Sequence, residues 1–213
     1  MVNAMLSKIL VAAGAALLLL VPRSGLAEID PWAESYRLES LYQYDSALRA
    51  LDVAAKTDPD NELILLRSGW LHYLSGNHGK SINYYKKAVR KNTKSLEARL
   101  GMILPLLAQQ RWREAMLEAQ RVLEVAPWNY QAHVHLMTCE HALKQWTVLA
   151  KHAQDVTARY PSDVSVLVYL ARAHHHLDDR AGAVSAYRRV LNISPEHVEA
   201  AQYLAQRVPE TRQ

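Results

Sequence analysis

Residues 62–95 read ELILLRSGWLHYLSGNHGKSINYYKKAVRKNTKS, and this stretch decides the fold. Leu65, Ser68, Gly69 and His72 recur at helical spacing. Ser75-Gly76-Asn77-His78 has the residues of a turn, and Ile82, Tyr85, Ala88 and Val89 form a second amphipathic stripe. Two short helices joined by a turn cannot bury both stripes by themselves; they need neighbours of the same kind, and the rest of the chain supplies them.

Rows of 34 residues starting at Glu28, Glu62, Leu96, Tyr130 and Val164 align without insertion or deletion, and a sixth, partial row starts at Val198. Ala54, Ala88, Val122, Val156 and Val190 share one column; Ala47, Ser81, Ala115, Leu149 and Ala183 share another. Prolines 59, 127, 161 and 195 form a third, in which Thr93 takes the place of proline in the second row. Proline lacks an N–H and clashes with the preceding turn, so this column predicts the end of each second helix, with a softer boundary at Thr93. Each of the first four rows ends on a good N-cap for the next helix: Asn61, Ser95, Asn129 and Asp163. His197 in the fifth row is a poorer one, and Asp30-Pro31 opens the first helix. Small residues at Gly69 and in the Ala47 column predict close helix crossings.

Residues 1–27 are of another kind. Lys8 precedes an apolar run of 13 residues, Ile9–Val21, and Gly25-Leu26-Ala27 places small residues at the −3 and −1 positions of a cleavage site. These are the parts of a secretory signal peptide cut after Ala27. The run is shorter than the ~20 apolar residues of a comfortable span, which leaves an uncleaved inner-membrane anchor as the alternative. The cut falls on the first residue of the first row. No cysteine lies near it, which excludes a lipoprotein anchor.

Of the 25 basic side chains, Lys8 and Arg23 lie before the cut, so 23 remain against 21 acidic ones. That balance excludes a nucleic-acid footprint, which needs a clustered basic face. Cys139 is the only cysteine, so no internal disulfide forms and the fold stands on packing; it reads as a buried small hydrophobe. Charge is uneven locally: the first row holds eight acids and three bases, the second one acid and seven bases, including Lys86, Lys87, Arg90 and Lys91.

The pattern resembles the tetratricopeptide repeat family over residues 28–208: Gly69 at the eighth position, Ala or Ser at the twentieth, a large residue at the seventeenth (Tyr44, Trp112, Trp146), and proline at the thirty-second. Ile103, Met137 and Ala171 replace the eighth-position glycine and make rows three to five individually degenerate. The resemblance implies an all-α, right-handed superhelical solenoid. It would have five helix-turn-helix repeats (28–61, 62–95, 96–129, 130–163 and 164–197), a capping helix (198–208) and a short tail (209–213). A last helix without a partner closes the apolar end of such a stack.

In that family the first helix of each unit lines a concave groove through positions two, five, nine and twelve. Carried onto this chain, those positions give an aromatic and aliphatic strip, Trp32, Tyr36, Leu66, Trp70, Tyr73, Leu100 and Leu104, with Glu39, Leu63, Glu97 and Leu107 beside it. A polar, weakly basic end follows, with Gln131, Val134, Thr138, His141, Val168, Arg172 and His175. The strip has the composition of a binding hot spot; packing of the same residues into the core is the alternative. The family's clamp for terminal carboxylates is missing, since apolar and aromatic residues stand at the clamp positions. Pro105, at the tenth position of a first helix, predicts a kink that widens the groove or is covered by its neighbours.

Ten histidines invite a metal reading. His174-His175-His176 point three ways on a helix, His141 and His175 occupy equivalent positions on neighbouring helices, and His135 and Cys139 are four apart. None of these brings three ligands together at a recognisable spacing. The expectation is therefore a noncatalytic adaptor of the bacterial cell envelope, exported and periplasmic. It needs no cofactor and holds a peptide or helix of a partner protein, with no nucleic acid and at most peripheral membrane contact. Two alternatives stand beside it: a membrane- or polysaccharide-associated scaffold using the basic face of row two, and a helper in metal or haem protein maturation through the His-rich end.

Overall fold

The computed structural model describes residues 30–207, and residues 1–27, read above as a signal peptide, lie outside them together with 208–213. The described residues form eleven helices and no strand. First helices are α1 (Pro31–Ser40), α3 (Glu62–Leu74), α5 (Leu96–Ala108), α7 (Tyr130–Ala142) and α9 (Val164–His176). Second helices are α2 (Tyr44–Thr57), α4 (His78–Lys91), α6 (Trp112–Val125), α8 (Trp146–Arg159) and α10 (Arg180–Ile193), and α11 (Val198–Arg207) follows alone. The large residue at position seventeen is the one that opens the second helix. Each helix packs on its neighbours in sequence, and the first helices α3, α5, α7 and α9 also pack each on the next, as in a solenoid.

The columns form the core. Ala47, Ser81, Ala115, Leu149 and Ala183 have no exposed surface, and Ala88, Val122, Val156 and Val190 have none either. Ser81 is tolerated there because its hydroxyl donates to the Gly69 carbonyl at 2.7 Å. The departures from an eighth-position glycine are compensated rather than degenerate. Position eight is buried in every row, and its size runs opposite to that of position twenty-four. Ser35 goes with Leu51, Gly69 with Tyr85, Ile103 with Ala119, Met137 with Ala153, and Ala171 with Tyr187. A methyl added to Gly69 would lie 2.9 Å from the Tyr85 ring, so one large side chain fills each crossing from one helix or the other.

Helix ends follow local hydrogen-bonding rules. Asn61, Ser95, Asn129 and Asp163 each accept a backbone N–H of the following helix. His197 does the same, its Nδ1 accepting from Ala200 N at 3.3 Å, so it is a working cap rather than a defective one. The α4 boundary is not softer for lacking proline. Asn92 ends it, its Oδ1 accepting from Lys94 N and its Nδ2 donating to Glu62 at 2.9 Å. α5 continues through the buried Pro105 to Ala108.

Every turn inside a repeat uses one backbone device. Position fifteen is left-handed in all five rows: Tyr42, Gly76, Gln110, Lys144 and Asp178 have φ of 59, 75, 56, 57 and 57°. The residue after it donates back to the last turn of the first helix, as in Gln43 N to Leu38 O at 2.9 Å and Gln145 N to Glu140 O at 2.8 Å. Only the second row uses glycine, the residue suited to that conformation.

Candidate functional site

Three adjoining depressions run across the first helices. The first, about 570 Å³, is lined by Trp32, Tyr36 and Glu39 of α1, Leu63, Leu66, Arg67 and Trp70 of α3, Tyr85 of α4 and Glu97 of α5. The second, about 390 Å³, lies between Trp70, Glu97, Leu100, Gly101 and Leu104 on one side and Tyr130, Gln131, Val134 and His135 of α7 on the other. The third, about 380 Å³, opens beside Tyr36, Glu39, Trp70 and Leu74. Trp70 is a wall of all three.

A buried polar cluster fixes that wall. The Trp70 indole N–H donates to Glu39 Oε1 at 2.8 Å, and Glu39 Oε2 pairs with Arg67 Nη1. Arg67 Nε donates to the Ser35 hydroxyl at 3.2 Å, and the guanidinium lies 3.8 Å from the centre of the Tyr36 ring. Among the described residues its Nη2 has no hydrogen-bond partner; it is closed off from solvent, and the cation–π contact with the Tyr36 ring offsets part of the cost. The charge of Arg67 is thus taken up by Glu39, inside a wall that is otherwise aromatic.

The strip residues play unequal parts. Leu66, Trp70, Leu100 and Leu104 line the depressions, and Tyr36 is 57% exposed. Trp32 does double duty, lining the first depression while packing on the core around Leu38, Leu51 and Leu71. Tyr73 stands behind Trp70, with ring centres 5.6 Å apart, and also packs on His78. Leu63, 62% exposed, and Leu104 line depressions without belonging to any core cluster.

The polar end is not an open basic surface. Arg172 is bound bidentately by Glu199 of α11 at 2.8 and 2.5 Å, and Tyr187 donates to the same carboxylate at 2.6 Å. The hydrogen bond from Arg172 holds the Glu199 carboxyl below its ordinary pKa. His175 packs edge-on to Tyr203 of the same helix, so Arg172 and His175 seat the cap. His141 lies against Trp146 and Tyr169, and burial followed by the nearby Arg172 and His176 lowers its pKa. Val168 is core. The three consecutive histidines part ways: His174 meets Asp179 at 2.8 Å, His175 meets Tyr203, and His176 stacks on Trp146 with centres 3.9 Å apart.

Another histidine group is closed on itself between α7 and α8. His133 Nε2 lies 2.9 Å from the Pro127 carbonyl, which can only accept, so that nitrogen bears the proton. His133 Nδ1 therefore accepts from His152 Nε2 at 2.8 Å, and His152 Nδ1 shares a proton with Glu140 at 2.9 Å. No donor is left over for a ligand. Cys139 is fully buried and burial pushes its thiol up to about 12. Among the described residues no group of three or more His, Cys, Asp or Glu comes together as a metal site, and no helix is long and apolar enough to cross a membrane.

Position six is the part of the groove that the sequence reading missed, for Arg67, Gly101 and His135 all line it. The signal was available, since position six lies four residues after position two and three before position nine, on the same helical face.

The tetratricopeptide repeat model matches residues 36–95 and 150–198, and the chain belongs to that family. No curated protein sequence matches it. Among solved structures, YrrB, described as a TPR protein with an unusual peptide-binding site, is 16% identical with a TM-score of 0.69. That match covers 82% of this chain and 90% of YrrB. MamA from Desulfovibrio magneticus RS-1, from residue 41 to its end, is 17% identical, TM-score 0.70, over 76% of this chain and 92% of that one. A tetratricopeptide repeat protein from Parabacteroides merdae is 13% identical, TM-score 0.74, over 83% and 70%. At these identities the likeness is one of fold. Proteins of this family generally act as protein–protein interaction scaffolds.

Proposed function

We propose that this protein is a noncatalytic scaffold that holds a peptide or helix of a partner protein along the first-helix face between Trp32 and Leu104. The observation that carries the reading is the set of three contiguous depressions sharing the Trp70 wall, apolar over most of their lining and left open beside a complete core. An aromatic anchor held rigid by its own hydrogen bond gives contact area at low entropic cost. YrrB, of the same fold, is described by its peptide-binding site.

The cleanest test uses residues that line the groove without building the core. Leu63→Asp and Leu104→Asp should each abolish partner capture while leaving helicity and melting temperature unchanged. Full capture by both variants would rule out the groove.

The apolar run and the small residues before Glu28 support an exported chain in the bacterial envelope, with a partner in an assembly, export or maturation system. N-terminal sequencing of the envelope fraction should read from Glu28; a chain starting at Met1 and extracted only by detergent would identify an anchor instead.

One observation favours a second surface. Lys80, Asn83, Tyr84, Lys86, Lys87 and Arg90 surround a shallow depression of about 320 Å³ on α4, suited to anionic lipid or polysaccharide. Binding there should collapse in moderate salt, whereas groove binding through apolar contacts should not.

A further inference from the structure

The groove's electrostatics specify the partner more narrowly than its apolar lining does. Four ionisable side chains other than tyrosine line the three depressions: Glu39, Arg67, Glu97 and His135. Glu39 and Arg67 neutralise each other. Burial lowers the pKa of His135, so it is uncharged at neutral pH. Tyr130, pushed up to about 12 by burial, is uncharged as well.

Glu97 is different. It is exposed, and among the described residues its side chain has no hydrogen-bond or ion-pair partner. The nearest cations in sequence do not answer it: Arg99 is held by Glu118 at 2.8 Å and by the Thr93 carbonyl at 3.0 Å, and Lys94 makes no ion pair among the described residues. Glu97 borders both larger depressions, beside Trp70, with Leu63 and Leu66 on one side and Leu100, Leu104 and Val134 on the other. The basic side chains of α4 border a separate depression.

We infer that the groove selects a partner segment carrying a lysine or arginine between two apolar side chains, the cation set against Glu97 and the apolar residues in the depressions on either side. The inference rests on the groove reading above and adds to it the sign of the ligand's charge. A carboxylate without its own counter-ion in an otherwise neutral, apolar channel attracts a cation and repels an acidic ligand, which gives register as well as selectivity. The indole of Trp70 beside it adds a cation–π surface. Glu97 also stands in the first turn of α5, where a negative charge favours the helix. That local role acts on stability alone and makes no difference between ligands.

The test is a random peptide library displayed on phage, selected on the full-length chain, with the recovered peptides synthesised and titrated by tryptophan fluorescence. The recovered peptides should carry Lys or Arg flanked by apolar residues. Glu97→Gln should weaken them about threefold to fivefold, as for a partly exposed ion pair. Glu97→Lys should weaken them by at least about tenfold. Changing the peptide's own Lys to Gln should cost the same factor on the wild type and nothing on the Glu97→Gln variant. Neutral or acidic binders, or Lys-bearing binders indifferent to Glu97→Gln, overturn the charge assignment. If those binders are still lost on Leu104→Asp, the groove reading survives. A library yielding no binder, or binders indifferent to Leu63→Asp and Leu104→Asp, removes the groove reading and this inference with it.

Discussion

Gly101→Ala is the perturbation whose outcome the packing determines most sharply. Helix propensity alone would favour alanine at this position in α5 by about 1 kcal/mol. The structure predicts the opposite sign. A methyl at 101 would sit 2.4 Å from Tyr85 Cε1, 2.5 Å from Cζ and 2.8 Å from the hydroxyl oxygen. Ordinary contacts between carbon atoms are about 3.5–4.0 Å, so the ring would have to move by about 1 Å. Its freedom to do so is restricted, because the same ring already fills the space that a side chain at Gly69 would take. Contacts this short place the overpacking cost in the upper part of its usual range, about 2–3 kcal/mol, leaving a net loss of about 1–2 kcal/mol after the propensity gain. Urea denaturation followed by circular dichroism measures it, provided the slope of the transition is unchanged. The control is Tyr85→Leu, which removes the crowding atoms. In that background Gly101→Ala should be neutral or stabilising by up to about 1 kcal/mol, a coupling of about 2 kcal/mol between the sites. A Gly101→Ala protein as stable as the wild type in the presence of Tyr85 would refute the reasoning.

Other outcomes follow from the same physical terms. Gln110→Gly and Lys144→Gly, at left-handed turn positions, should each raise stability by about 0.5–1 kcal/mol, and Gly76→Ala should lower it by about 1–2 kcal/mol, in the same urea assay. Glu39→Gln strands the buried Arg67 guanidinium and should cost about 2–4 kcal/mol; Asp155→Asn, in an exposed pair with Lys151, should change stability by no more than about 0.5 kcal/mol. Burial holds His72, His133, His135 and His141 below the ordinary histidine value of 6.5, with repulsion from Lys80 adding at His72 and from Arg172 at His141. The unfolded chain therefore takes up protons first. Stability is full above about pH 6.5 and is lost as pH falls through the folded values, so the melting temperature should drop between about pH 7 and pH 5.5. A flat or rising melting temperature over that range contradicts this assignment.

The helical phase of the chain was legible because each row repeats its small residues, caps and prolines at one spacing. What was not legible came from compensation between columns. Ile103 and Met137 look like lapses from the family's glycine until Ala119 and Ala153 are seen across the crossing. The left-handed turn shows itself in sequence only at Gly76; Tyr42, Gln110, Lys144 and Asp178 adopt it under the demand of the two flanking helices. His197 and Asn92 do by side-chain hydrogen bonds what better-known capping and stopping residues do elsewhere. At the groove, the positions carried over from the family resemblance gave the aliphatic and aromatic strip but not the state of its charges. Arg67 stands at none of those positions and is buried against Glu39 and Tyr36, while Arg172, expected at a weakly basic groove end, is held by Glu199. Whether a charge is spent depends on a partner about 30 residues away, which a single row does not display.

The central claim is that a partner lies along the first helices. A photo-reactive amino acid placed singly at 63, 104 or 87, followed by irradiation of growing cells, tests it most directly. The account predicts the same protein adduct from positions 63 and 104, blocked by Trp70→Asp, and none from Lys87 on α4. An adduct formed from position 87 alone, or one from 63 and 104 that persists in the Trp70→Asp background, would contradict it.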